Sequence, residues 1–271
     1  LKIFLEEVIS FSIIGVISIF SVSKIYESKL FLDVTVSTIS WWQFLLAFSI
    51  GTAVILGLIR IIHGGLFLRI FFLAALFSGT FITLSIFLSD ALSFIFSSLL
   101  VTFYVFYPYV WLHNLILILT LPGIAAILGS SLNPKTAVFL LIFMSIYDYV
   151  AVYRTKHMVK MAKAMISGRA IFAMIYPEHL KGFWSSIKEA RPGEGFMMLG
   201  TGDFVFPILM ATSAYAVSAA AAWIVFISSL FGLLLMHLIF SLQKVRRPMP
   251  ALPPLAAFAI LGFFIAIALK F

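Results

Sequence analysis

The chain has 271 residues, 63% of them hydrophobic and 10% charged, a composition that excludes a water-soluble globular protein of this size. Its 18 Lys and Arg outnumber 10 Asp and Glu, giving a formal net charge of +8. These cations cluster between apolar runs as orientation signals do, so the bilayer is the partner they indicate, and nucleic acid is not. With no Cys in the chain, disulfides, thiolate metal sites and a cysteine nucleophile are excluded.

A helix needs about 20 mostly apolar residues to cross a hydrocarbon core of roughly 30 Å. In chain order such runs fall at about residues 8 to 23, 41 to 62, 66 to 88, 91 to 110, 115 to 131, 134 to 153, 196 to 213, 217 to 242 and 250 to 269. Only Ser89 and Asp90 separate the third run from the fourth. Trp41 and Trp42 open the second run and Trp111 closes the fourth, positions that suit interfacial aromatics and also suit packing between helices. The expected fold class is therefore all-α, a polytopic membrane protein with nine transmembrane helices. Residues 1–153 carry spans one to six, 154–195 a connection, and 196–271 spans seven to nine, all in one integral membrane unit.

With the N-terminus inside, the inner segments carry Lys2, Arg60, Arg69, Arg154, Lys156, Lys160, Lys163, Arg169, Lys181, Lys188, Arg191, Lys244, Arg246 and Arg247, which is 14 of the 18 cations. The outer segments keep Lys24, Lys29, Lys135 and Lys270. A missing or extra span in the first half would scramble this bias, so the cations support both the count and a cytoplasmic N-terminus and connection. Within 154–195, Lys156, Lys160 and Lys163 lie on one side of a helical pattern and Met158, Met161, Met165 and Ile166 on another, which suits a helix in the interface. Pro177, Pro192, Gly193 and Gly195 then predict a solvated loop.

Of the ten acids, the sequence places only Asp148 and Asp203 well inside apolar runs. An intramembrane carboxylate costs several kcal/mol unless paired, wetted or protonated, so each is a functional candidate whose bland counterpart is a single bond to a neighbouring helix. Asp148 lies about five residues from the inner end of span six, and Asp203 about seven from the same end of span seven. At 1.5 Å per residue these depths are roughly 8 and 10 Å, close enough for the carboxyls to face each other. Two such groups share a proton, as in aspartic protease chemistry: one takes a proton from water while the other donates to the scissile carbonyl oxygen. Gly200 and Gly202 before Asp203, with Pro207 after it, predict a loosened helix near the acid. The run Pro250-Ala251-Leu252-Pro253-Pro254 predicts irregular backbone at the same depth.

Tyr147-Asp148, Gly200-Thr201-Gly202-Asp203 and Pro250-Ala251-Leu252-Pro253 resemble, in order and position, the YD, GxGD and PAL signatures of the presenilin and signal peptide peptidase family. The small Cys-free chain is most similar to an archaeal presenilin homologue. The resemblance implies an intramembrane aspartyl protease that cuts transmembrane helices, with Asp148 and Asp203 catalytic and Tyr147, Gly200 and Gly202 supporting them. It further implies that Pro250, Ala251, Leu252 and Pro253 shape the substrate site. Transmembrane proteins in the lipid bilayer are the implied partners, and neither a metal nor another cofactor is needed. Thr201 departs from the aliphatic residue that presenilins commonly carry at that position, and the connection is shorter than the large presenilin loop.

Other membrane proteases find little support. His63, His113, His157, His179 and His237 are scattered singly with no His-Glu-x-x-His, and a serine protease would rest on His237 with no motif around it. The alternative from another class is a proton- or cation-coupled transporter or channel using the same two aspartates.

Overall fold

The computed structural model describes residues 2–28, 40, 42–43, 46–47, 49–51, 54, 57, 65–154, 165, 168, 170–243 and 249–270. Lys29, Trp41, Arg60, His63, Lys156, His157, Met158, Lys160, Met161, Lys163, Ile166, Arg169, Lys244, Arg246 and Arg247 lie outside the described residues. The first span is the helix Lys2–Glu27. Every described position from 42 to 57, in the second run, is helical. Then follow the helices Gly65–Ser85, Asp90–Phe106, Val110–Ser130 and Pro134–Tyr153 for spans three to six. Spans seven to nine contain Thr201–Ala214, Ala219–Ser241 and Leu252–Ala268. The third and fourth runs are separate helices, joined through the short turn at residues 86–89.

Local chemistry sets several boundaries. Asn133 caps span six by accepting from the Lys135 N–H at 3.0 Å, and Pro134 sits in the first turn, where its missing N–H costs nothing. Ser218 caps span eight in the same way, accepting from the Ala221 N–H at 3.0 Å. The fifth span is apolar all round and is the buried centre of the bundle, packed against spans one, three and seven. It carries Pro122 in its interior. The adjoining Gly123 N–H instead donates to Thr83 Oγ1 of span three at 2.9 Å, the sort of neighbour that lets a membrane helix tolerate proline. Thr212 Oγ1 donates to the Ala125 carbonyl at 2.9 Å and Ser213 Oγ to Leu132 at 2.8 Å, tying span seven to span five and its exit turn. Glycine at 129 makes that approach possible, because a Cβ there would lie 2.8 Å from the Leu209 carbonyl oxygen.

The connection departs from the expected solvated loop. Ala173–Pro177 (β1) pairs antiparallel with Phe196–Gly200 (β2), in a register that sets Ala173 opposite Gly200 and Pro177 opposite Phe196. Between them lies a 3-10 helix, Leu180–Trp184. Ala170, Ile171, Met174, Ile175, Tyr176, Ile187, Leu199 and Ala190 are all buried, so this segment is a packed cap on one end of the bundle. Gly193 and Gly195 do make the expected turn, with φ of 86° and 80° that only glycine adopts readily.

The cap also corrects the start of span seven. Residues 196–200, read as the beginning of that helix, are strand β2, and the helix starts at Thr201. Its 14 residues reach roughly 21 Å, short of a hydrocarbon core of roughly 30 Å. Span six has spans seven and nine as its main neighbours, and Ile142, Ile146 and Tyr149 on its other side are exposed.

Candidate active site

Spans six, seven and nine pack against one another pairwise and bring the three sequence motifs to one place. Asp148 sits on span six, six residues before Arg154 follows the helix, and its carboxyl is partly buried. The Leu252 N–H donates to its Oδ2 at 3.2 Å, and the Ala251 N–H is a second donor. Asp203 is buried in the first turn of span seven, and its carboxyl accepts from the Gly200 N–H. It is near enough to Asp148 for the charge of one acid to act on the other.

The sequence predicts a loosened helix interior around Asp203; the structure shows a helix end instead. Gly200 is the N-cap and Asp203 the third residue of the helix, so its carboxyl folds back onto the cap N–H, one half of a capping box. The first glycine of the motif has a steric reason. A Cβ on Gly200 would lie 3.1 Å from Asp203 Oδ2, crowding the carboxyl out of this position. Gly202 is less constrained, because a Cβ there would meet only the Phe206 ring at 3.3 Å. Pro207 lies inside the helix, which continues to Ala214, and with no N–H it leaves the Asp203 carbonyl without its helical donor.

The proline-rich segment is likewise more regular than expected. The helix begins at Leu252 with Pro253 and Pro254 in its first turn, where a missing N–H leaves no bond unmade. Proline therefore removes donors from that turn and leaves the Ala251 and Leu252 N–H groups, which point at Asp148. The expected freed carbonyls are not the feature that matters here. Leu252 and Ala251 are themselves buried, and close packing of spans eight and nine fixes them. A Cβ on Gly232 would come within 2.9 Å of both the Leu255 Cα and the Pro254 carbonyl oxygen. Tyr147 adjoins Asp148 with its ring about half exposed on the outer side of span six.

Two features near the site carry no signal in the sequence. His113 and Asn114, side by side at the start of span five, hold strand β1. His113 Nε2 donates to the Ala173 carbonyl at 2.9 Å, and Nδ1 accepts from the Tyr104 hydroxyl at 2.9 Å. Asn114 accepts from the Ile175 N–H at 3.0 Å and donates to the Ile175 carbonyl at 2.7 Å, as a third strand would. The second feature is Glu7, read in the sequence as a span-end acid but fully buried, with Oε2 3.0 Å from Nδ1 of His237 on span eight. Trp111 packs on Trp184 of the cap, with ring centroids 5.7 Å apart. Among the described residues no group of His, Asp and Glu has the arrangement of a metal site.

This bundle, capped by a hairpin that leads into one of two facing intramembrane acids, is the architecture of an intramembrane aspartyl protease. A profile of the family described as signal-peptide peptidase, presenilin aspartyl protease matches residues 32–270. The chain belongs to that family. Two solved structures of a presenilin family intramembrane aspartate protease, in C222 and P2 space groups, are each 24% identical to it. The first covers 98% of this chain and 99% of its own with a TM-score of 0.69; the second covers 98% and 97% with 0.68. No curated protein sequence matches the chain.

Proposed function

We propose that the chain hydrolyses peptide bonds within transmembrane helices of other proteins, with Asp148 and Asp203 as its catalytic pair and water as co-substrate. The observation that carries this reading is the meeting of the three motifs, above all the Leu252 N–H on the Asp148 carboxyl with Asp203 facing it. In the first step one aspartate, ionised, takes a proton from water as the oxygen attacks the scissile carbonyl. The other, protonated, gives its proton to the carbonyl oxygen, and the pair then returns a proton to the leaving nitrogen. The Ala251 and Leu252 N–H groups hold one carboxyl in place, and Gly200 holds the other, so little reorganisation is left for the reaction itself.

A substrate helix enters from lipid, since its backbone bonds must stay satisfied until it reaches the site. There it unwinds, because the turns of a helix shield its peptide bonds. Among the described residues β2 pairs along one edge with β1, so its other edge beside Gly200 suits pairing with an extended substrate stretch. The Pro250–Pro253 segment forms the opposite wall.

The test is cleavage of a single-span substrate by the purified protein in lipid between pH 4 and 9. Activity is expected to rise and fall in a bell, absent when both acids are protonated and again when both are ionised. A flat profile would sink the shared-proton mechanism. Proton or cation flux into vesicles without any cleavage would favour the transporter reading.

The cation bias supports a cytoplasmic N-terminus and a cytoplasmic connection. Because the chain has no Cys, single substitutions report orientation cleanly. Glu194→Cys is expected to react with an impermeant thiol reagent only from the cytoplasmic side, and Ser131→Cys only from the other. The reverse pattern would invert the topology.

A further inference from the structure

A cleft of about 200 Å³ lies where spans three and four meet the cap, with neither aspartate in its lining; Arg69, Leu73, Val105, Phe106 and Lys188 are among its walls. We propose that it binds the phosphate of an anionic phospholipid.

Two cations meet there from distant parts of the chain, Arg69 from the first turns of span three and Lys188 from the cap. No acidic side chain lines the cleft, and neither cation has an ion-pair partner among the described residues. Two cations lining one small cleft with no acid beside them leave it electropositive, so an anion entering it gains from both. Basic pockets between membrane helices have the chemistry for an anionic headgroup: a bidentate guanidinium and a point-charge ammonium.

The remaining walls argue that the anion arrives on a lipid. Leu73, Val105 and Phe106 are apolar, and they belong to spans three and four. Phe106 is 73% exposed and Ile70 58%, with Phe103 also exposed one turn further along. An acyl chain leaving the cleft would therefore run over continuous apolar surface. The volume is below the roughly 300 to 1,000 Å³ of pockets that enclose whole small molecules, which suits a headgroup whose tails remain in the membrane.

Occupancy also has a structural effect. Residues 185–187 are stitched to the turn between spans four and five, with the Val110 N–H donating to Ser185 at 3.1 Å and the Ile187 N–H to Pro108 at 2.9 Å. A phosphate shared by Arg69 and Lys188 would add span three to that seam and brace the segment that continues into β2.

The experiment measures retention of phosphatidylglycerol by the purified protein in detergent, by native mass spectrometry, with phosphatidylcholine as the comparison and glycerol phosphate as the soluble competitor. The parent is expected to keep one phosphatidylglycerol preferentially. At about 1 kcal/mol per cation near a membrane surface, Arg69→Gln and Lys188→Gln should each weaken retention about fivefold and the pair roughly 25-fold. Arg69→Lys should keep most of the binding. Lys188→Glu changes an exposed residue that cannot unseat the core, so it decides the matter if the Arg69 variants fold poorly. Undiminished retention by Lys188→Glu would overturn the proposal, as would displacement of the lipid by millimolar glycerol phosphate, which would mark a site for free anions.

Discussion

Replacing Asp203 by Asn leaves a folded protein that no longer cuts. The amide matches the carboxyl in shape and can still accept the Gly200 N–H, so the helix cap survives while the proton chemistry does not. Positioned acid–base groups are worth roughly 10² to 10⁴ in rate, and cleavage of a single-span substrate is expected to fall by at least about a thousandfold. Asp148→Asn should do the same. In the proposed mechanism the two acids act as one unit, so the double variant should be no slower than either single one. Thermal unfolding in the same lipid checks that each variant is folded. Residual cleavage above about a tenth of the parent rate in either variant would show that the pair is not the catalytic centre.

The second large effect is expected far from the chemistry, at Asn114. Its side chain satisfies both backbone groups of Ile175, which is fully buried in β1. Asn114→Leu removes both partners at once. An orphaned buried group costs about 1 to 3 kcal/mol, so roughly 2 to 6 kcal/mol of stability is at stake. Relief by shifting β1 carries its own penalty, because Ala173 is in register with Gly200, the cap of the helix that bears Asp203. Turnover at saturating substrate is therefore expected to drop along with the melting temperature. Asn114→Asp keeps an acceptor for the Ile175 N–H and should fall between. Equal melting temperatures for the parent and Asn114→Leu would mean that β1 does not depend on this clamp.

What could be read from the sequence was the part with a length or a motif. Apolar runs marked the spans, and Asp148, Asp203 and the Pro250 segment stood out because their residue types are costly or awkward in a membrane helix. The hairpin escaped notice for a physical reason. In β1, Met174, Ile175 and Tyr176 are all buried, so the strand has no alternating pattern, and a short buried strand reads like a piece of helix. Phe196 to Leu199 is an uninterrupted apolar stretch with no alternation in its residue types, so it reads as the start of span seven. The role of Glu7 depends on His237, 230 residues away, and no local pattern announces such a pair. Proline misled in the other direction: at Pro253 and Pro254 it marks an ordinary helix start, and its effect on the site lies in which N–H groups are left to give.

Among the described residues the main neighbours of span six are two helices, whereas Asp203 is held by a cap, a clamp from span five and the packing of span seven against several helices. The two halves of the proposed catalytic pair are thus held by unequal amounts of surrounding structure. On its outer side span six exposes Ile142, Ile146 and Tyr149, which in a bilayer would meet acyl chains. Hydrocarbon thickness and lateral pressure act on that helix directly and on Asp203 hardly at all. Turnover is accordingly expected to follow the membrane as well as the protein's own chemistry, and bilayers of different chain length become a means of tuning it with no residue changed.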